Sequence, residues 1–268
     1  MIIHEIITNG TIYAMAGAFA GLMSGILGIG GGIVVVPALL YIFQHNSEIP
    51  PLLAMHFAAG TSLGVMIFTS QASVRSHYKL GEILWKVYQR LWPGIVVGVI
   101  VGAFVASLIP IFWLQLLFGL FLLFVAFKML LELKVTRTGK FPRTWVNTLV
   151  SLVIGFKSGL LGVGGGTLII PYLTFCGVPT RKIPAVSALC TMTVAVLGTL
   201  VFYWTGSQES GLPSYSTGYV YWPAVLWVAI PSVLFAPMGA KLNYHLPVKQ
   251  LRYGFIIVLV CTAIDLLI

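Results

Sequence analysis

Apolar residues along this chain gather into long unbroken runs, with neither strict alternation nor a single helical stripe. The runs fall at about 11–44, 53–74, 91–109, 111–133, 145–176, 183–205, 221–240 and 250–268. Several reach the roughly 20 residues that a helix needs to cross a bilayer. None shows the alternating ten-residue segments of a barrel, and only helices and closed barrels satisfy their backbone groups in lipid. The pattern therefore predicts an all-α integral membrane protein. Trp92, Trp113, Trp145, Trp204 and Trp222 lie near run ends, where an interfacial aromatic belt belongs.

Two runs are too long and too rich in glycine to be plain helices. "SGILGIGGG" (Ser24–Gly32) and "SGLLGVGGG" (Ser158–Gly166) break them in the middle. Glycine reaches backbone angles that other residues avoid, so each run is expected to enter the membrane and turn back, as two passes or as a re-entrant hairpin. Bare backbone at that depth must be covered by protein or line a cavity.

Basic residues orient the chain. Arg75, Lys79, Lys86 and Arg90 mark 75–90, and Lys134, Arg137, Lys140 and Arg143 mark 134–143. The positive-inside rule places both in the cytoplasm, together with Arg181, Lys182, Lys241, Lys249 and Arg252. The stretches 44–52, 107–113 and 206–220 hold no Lys or Arg and should face outward. With Arg143 and Arg181 on one side, the run 145–176 has to return to the side it entered from.

The glycine runs align at an offset of 134, pairing Gly25, Leu27, Gly28, Gly30, Gly31, Gly32 and Pro37 with Gly159, Leu161, Gly162, Gly164, Gly165, Gly166 and Pro171. Pro93, Gly102, Pro110 and Leu114 find partners in Pro231, Gly239, Pro247 and Leu251. The chain thus divides into a first repeat, 1–135, and a second, 143–268, joined by the basic linker 134–143. Segment 53–74 runs from an uncharged loop to a basic one, whereas 183–205 runs the other way. The repeats are inverted, with five passes each, ten in all, and both termini outside. A count of eight is the alternative, and it leaves Arg181, Lys182, Lys241 and Arg252 on the wrong side. Inverted repeats characterise secondary transporters, whose sites lie near the midplane where broken helices meet.

Composition agrees. The chain is 59% hydrophobic and only 8% charged, with a mean hydropathy of +1.01, against roughly 25% charged residues in a soluble domain. The net charge of +9 belongs to loops that face the cytoplasm, so it does not point to nucleic acid. Cys176, Cys190 and Cys261 lack CxxC spacing and read as packing residues. No HExxH motif, paired cysteines or clustered carboxylates suggest catalysis, so neither an enzyme nor a cofactor is expected. The opening "MIIHEIITNG" makes a poor signal peptide.

The candidate chemistry is anion binding. Helices should restart at Ile33 and Thr167, and a helix start presents unpaired amides and a positive dipole end. The alternative use of the glycines is close helix packing. The runs lack the Lys-Ser/Thr that follows the glycines of a phosphate loop. Lys157 stands inside the second run, where an ionisable group is costly and marks a functional site by default. Snorkelling to an interface is its other reading, and its match in the first repeat is Met23. Ser24 and Ser158 precede the glycines in both copies. Thr61, Ser62, Ser187, Thr191 and Gln71 offer polar groups in the helices that follow. The expected site is Ser24, Gly28, Gly30, Gly31, Gly32, Thr61 and Ser62 from the first repeat. The second adds Lys157, Ser158, Gly162, Gly164, Gly165, Gly166, Thr167 and Ser187. His56 is a candidate for proton coupling. His77, Glu82, Glu132, Glu209 and Asp265 read as loop or end charges. The driving ion, proton or sodium, is not legible, and a homodimer is left open.

The doubled motifs "GLMSGILGIGGGIVVVPALL" and "SGLLGVGGGTLIIPYL" resemble the TauE/SafE sulfite exporter family, as do "AAGTSL", "LIPIFWLQLLFGLFLL" and "HLPVKQLRYGFIIVL". The resemblance covers essentially the whole chain. It implies an inner-membrane permease for sulfite, sulfonates or related sulfur-containing anions. Its motif maps onto Gly28, Gly30, Gly31, Gly32, Pro37, Thr61 and Ser62, and onto Gly162, Gly164, Gly165, Gly166 and Pro171. The second copy departs at Ser187–Ala188, where Thr-Ser is commoner. The expectation is a secondary transporter working by alternating access; an anion channel and a membrane assembly protein are the alternatives.

Overall fold

The computed structural model describes residues 2–27, 31–45, 49–131, 139, 141–209, 211–242 and 248–267. Its helices in the first half are α1 (Ile2–Leu27), α2 (Gly32–Gln44), α3 (Ala54–Lys79), α4 (Trp85–Leu108) and α5 (Ile111–Leu130). The second half has α6 (Thr144–Leu161), α7 (Gly166–Phe175), α8 (Ile183–Gly206), α9 (Trp222–Leu242) and α10 (Val248–Leu267). One small ribbon departs from the all-helical expectation: β1 (Ser216–Thr217) pairs antiparallel with β2 (Val220–Tyr221). Among the described residues, six helical segments are long and apolar enough to cross a membrane.

Both long runs are broken at their glycines. The pieces that follow, α2 and α7, are 13 and 10 residues long, too short for a full crossing at 1.5 Å per residue. The charged stretch 75–90 is mostly helical: α3 carries Arg75 and Lys79 past its apolar body, α4 begins at Trp85, and the connection shrinks to 80–84. Long basic stems allow this, because their methylenes cover apolar surface while the charge stays in water.

The helices pair reciprocally. α4 lies along α6 and α1 along α9; α4 also meets α8, as α3 meets α9. α2 packs on α3, and α7 on α8. α3 crosses α8, and α5 meets α10. Exchanging α1–α5 for α6–α10 swaps the first six of these contacts in three pairs and returns α3–α8 and α5–α10 to themselves.

Glycine makes the two longest of these seams close. Gly94, Gly98 and Gly102, spaced four apart on one face of α4, press on Ser151, Leu152 and Phe156 of α6. Gly155 and Gly159 answer from α6, where a methyl at Gly155 would sit 2.5 Å from the Ile95 carbonyl oxygen. On the other seam Gly17 and Gly21 of α1 press on Val228 and Ser232 of α9, and Gly239 presses on Leu22. Without water to drive burial, helices in lipid associate through such backbone approach.

Side-chain contacts sort the connections into two ends. At one, Arg181 Nε donates to Glu82 Oε1 at 3.0 Å, His77 Nδ1 lies 2.8 Å from Glu82 Oε2, and Arg90 covers the Phe141 ring at 5.1 Å. At the other, His56 Nε2 donates to the Ile109 carbonyl at 3.2 Å and its ring stacks on Tyr219 at 5.3 Å. The Tyr219 hydroxyl donates to Glu209 Oε1 at 3.2 Å. The basic stretches around 77–90, 141 and 181 therefore share an end, and His77 and Glu82 are partners in an ion cluster, not independent loop charges. His77 foremost, then Arg181, holds the Glu82 carboxyl below the usual carboxylate range.

Candidate functional site

The second break closes α6 with a left-handed residue. Gly162 has φ +66°, and the amides of Gly162 and Val163 both turn back to the Ser158 carbonyl. A side chain at Gly162 would run into the backbone of Ala59 on α3, so glycine is required there for both angle and space. α7 then starts with Leu168 and Ile169 donating to the Gly165 carbonyl, which leaves the Gly166 and Thr167 amides without helical acceptors. α2 starts likewise, Val34 and Val35 donating to the Gly31 carbonyl. Both helices begin one residue earlier than expected, at Gly32 and Gly166.

The two breaks touch. A methyl at Gly32 would lie 3.1 Å from the Gly164 amide nitrogen and 3.1 Å from Met66 Sδ. Gly164 faces the same sulfur and the Thr191 methyl. Ala59, Ser62 and Met66 share one face of α3, and the two outer members of that face meet Gly162 and Gly164. Ser62 lies between them, wholly buried, and its hydroxyl has no hydrogen-bond partner. Such an orphan costs about 1–3 kcal/mol. From α8, buried Ser187 stands one turn from Thr191.

The remaining predicted residues divide. Thr61 faces away from the breaks and accepts from the Tyr221 amide at 3.1 Å. The Ser158 hydroxyl donates to the Ile154 carbonyl at 2.7 Å, one turn back. Ser24 and Gly31 are half-buried at the first break. Gly28 and Gly30 lie outside the described residues. Thr167, buried, accepts from Lys157 Nζ at 3.2 Å through its hydroxyl. The same ammonium lies 4.4 Å from the centre of the Phe121 ring on α5, a contact worth roughly 2 kcal/mol when desolvated. Lys157 is thus held inward between α5 and α7.

Three contributors were not singled out from the sequence. Lys128, in the last turn of α5, donates to the Thr167 carbonyl at 3.1 Å; its place beside the linker hides it among flanking charges. Buried Asn147 donates to the Arg90 carbonyl at 2.7 Å and accepts from the Tyr172 hydroxyl at 2.8 Å, tying α6 and α7 to α4. Met66 stands at the junction of the breaks as an apolar residue in an apolar run. Only Asn147 left a usable signal, as a buried-segment polar residue that needs partners.

Comparison with known proteins follows the same lines. A family model described as sulfite exporter TauE/SafE matches residues 13–266. A probable membrane transporter protein of Haemophilus influenzae is 34% identical, over 94% of this chain and 96% of its own length. One from Methanocaldococcus jannaschii is 32% identical over 89% of this chain and 88% of its own, and one from Bacillus subtilis is 25% identical over 96% of each. No solved structure matches the chain.

Proposed function

The chain belongs to the sulfite exporter TauE/SafE family of multi-pass membrane transporters, and from that premise we propose that it carries a small sulfur-containing anion, sulfite or an organosulfonate, across the cell membrane by alternating access. One observation carries the reading: the start of α2 meets the second glycine break, Gly32 against Val163 and Gly164, beside the face of α3 that bears the orphan hydroxyl of Ser62. Two helix starts converging within a membrane protein make a site for an anion from backbone amides alone. Lys157 supplies the charge beside the second start.

The repeats 1–135 and 143–268 form two inverted units of five segments in this reading. Reciprocal helix packing supports it, as does the gathering of basic connections at one end, which is the cytoplasmic end by charge. Rocking of one unit against the other, about the α3–α8 crossing, exposes the junction to each side in turn.

Purified protein in sealed vesicles tests this. With labelled sulfite and taurine, accumulation against a gradient when a proton or sodium gradient is applied is the expected result. Lys157→Ala lowers binding at least tenfold (about 1.4 kcal/mol). Equilibration without accumulation identifies a channel. Absence of both binding and flux leaves a non-transport role.

A further inference from the structure

Two lysines within the apolar spans end on one residue. Lys157 Nζ meets the Thr167 hydroxyl and Lys128 Nζ meets the Thr167 carbonyl, at 3.2 and 3.1 Å. That carbonyl is free because its helical donor would be the residue four positions on, Pro171, which has no N–H. Neither ammonium has a carboxylate partner among the described residues, where both ion pairs belong to Glu82. Hydroxyl and carbonyl oxygens satisfy donors but cancel no charge. Like charges gathered on one residue repel when water is scarce, and an unpaired charge in a membrane span is costly. A singly charged ligand leaves one ammonium uncompensated. A doubly charged one leaves none.

We propose that Lys128 and Lys157 form a two-cation port at the start of α7 that selects oxyanions bearing two negative charges over singly charged sulfonates; this rests on the transport reading above and narrows its substrate class. Lys128 is a binding residue in this scheme, and the Phe121 face excludes water from the other side of the Lys157 ammonium. A lipid phosphate and a free oxyanion offer the pair the same chemistry, so the test separates them.

Binding is measured by titration calorimetry on protein in zwitterionic nanodiscs at mildly acidic pH, where both ammonium groups keep their protons, with sulfate and thiosulfate as dianions and methanesulfonate as the monoanion. Wild type should prefer a dianion at least tenfold. Lys128→Gln should bring dianion and monoanion within twofold, whereas Lys128→Arg keeps the preference. Lys128→Met, which retains the packing of the stem, repeats the test if the glutamine variant unfolds at lower temperature. Glu132→Gln, an acid four residues along and outside the described residues, should change nothing. A preference that survives removal of Lys128, or that disappears in Glu132→Gln, overturns the inference. So does the outcome in which phosphatidylglycerol is retained by wild type, lost by Lys128→Gln, and blocks both probes, because the port then holds a lipid. If wild type binds and transports dianion and monoanion equally, only the two-charge selection falls. If it binds and transports neither, the transport reading falls with it.

Discussion

Under the proposed repeat, the helix sets α5, α6, α7 and α10, α1, α2 are counterparts, and they meet where α5 packs on α10. Both contain a glycine break followed by a short helix with an internal proline, Pro171 in one and Pro37 in the other. Each proline frees the carbonyl four residues earlier, Thr167 or Ile33. There the likeness stops. The first unit fills the space with Lys157, Lys128 and Phe121. The second has Met23 in place of Lys157, and the offset that pairs Pro110 with Pro247 sets Asp265 opposite Lys128. Between its helices lies a cavity of about 500 Å³, lined by Phe19, Ile33, Pro37, Phe255 and Val258 with Asp265 at its edge. If the two sets are repeats, the same backbone plan carries opposite charge at this position, and doubled geometry would not mean doubled chemistry.

The sharpest way to break the comparison is at the helix seams that hold each unit in place. Gly98→Val on α4 and Gly17→Val on α1 each drive a branched side chain into partner backbone. Both should destabilise by about 3 kcal/mol, read as loss of monodisperse protein on extraction. Tolerance at one seam alone would show that the units are not packed alike. Next in size is the turn itself. Gly162→Ala should cost about 1–2 kcal/mol from the left-handed angle alone, and more from Ala59. If the first break is built the same way, Gly28→Ala shows a matching drop in thermal midpoint.

A smaller effect sharpens the chemical contrast. Asp265→Asn should leave sulfite and sulfate affinity within twofold, since Met23 stands where the other unit has Lys157 and no lysine is among its described side chains; a tenfold change would tie the cavity to the site. The smallest concerns the end where the units are linked by ions. The folded state lowers the Glu82 carboxyl, so its contribution is present above the ordinary glutamate range and is lost as pH falls through the folded value. Glu82→Gln should lower the unfolding midpoint slightly at neutral pH and converge with wild type below about pH 4, as followed across a pH series.

Most of the architecture was legible because lipid imposes it. Run length located the spans, and the doubled glycines located both breaks. The spacing of Gly94, Gly98 and Gly102 already carried the small-residue signal of a helix seam, although pairing it with α6 required the fold. The site was only half legible. Lys157 announced itself by lying inside an apolar run. Lys128 did not, because a lysine in a final helical turn looks like an interfacial flank until packing swings it onto Thr167. Hydroxyls were the least readable: Thr61, Ser62 and Ser158 look alike in the chain, yet one binds a distant amide, one is orphaned and one is spent on its own helix. Which fate befalls each depends on a neighbouring backbone brought in from far along the chain.

The seam between α1 and α9 has a consequence for how the protein is made. α1 leaves the ribosome well before α9, and the surface that receives Gly17 and Gly21 does not exist until residues 222–242 have been synthesised. Contacts so distant in sequence close late. Until then α1 must wait in the bilayer with its small-residue face unmatched, open to pairing with another nascent chain. Neither half can therefore mature as an independent module; severed after residue 131, the two fragments should regain the native assembly only when produced together in one membrane.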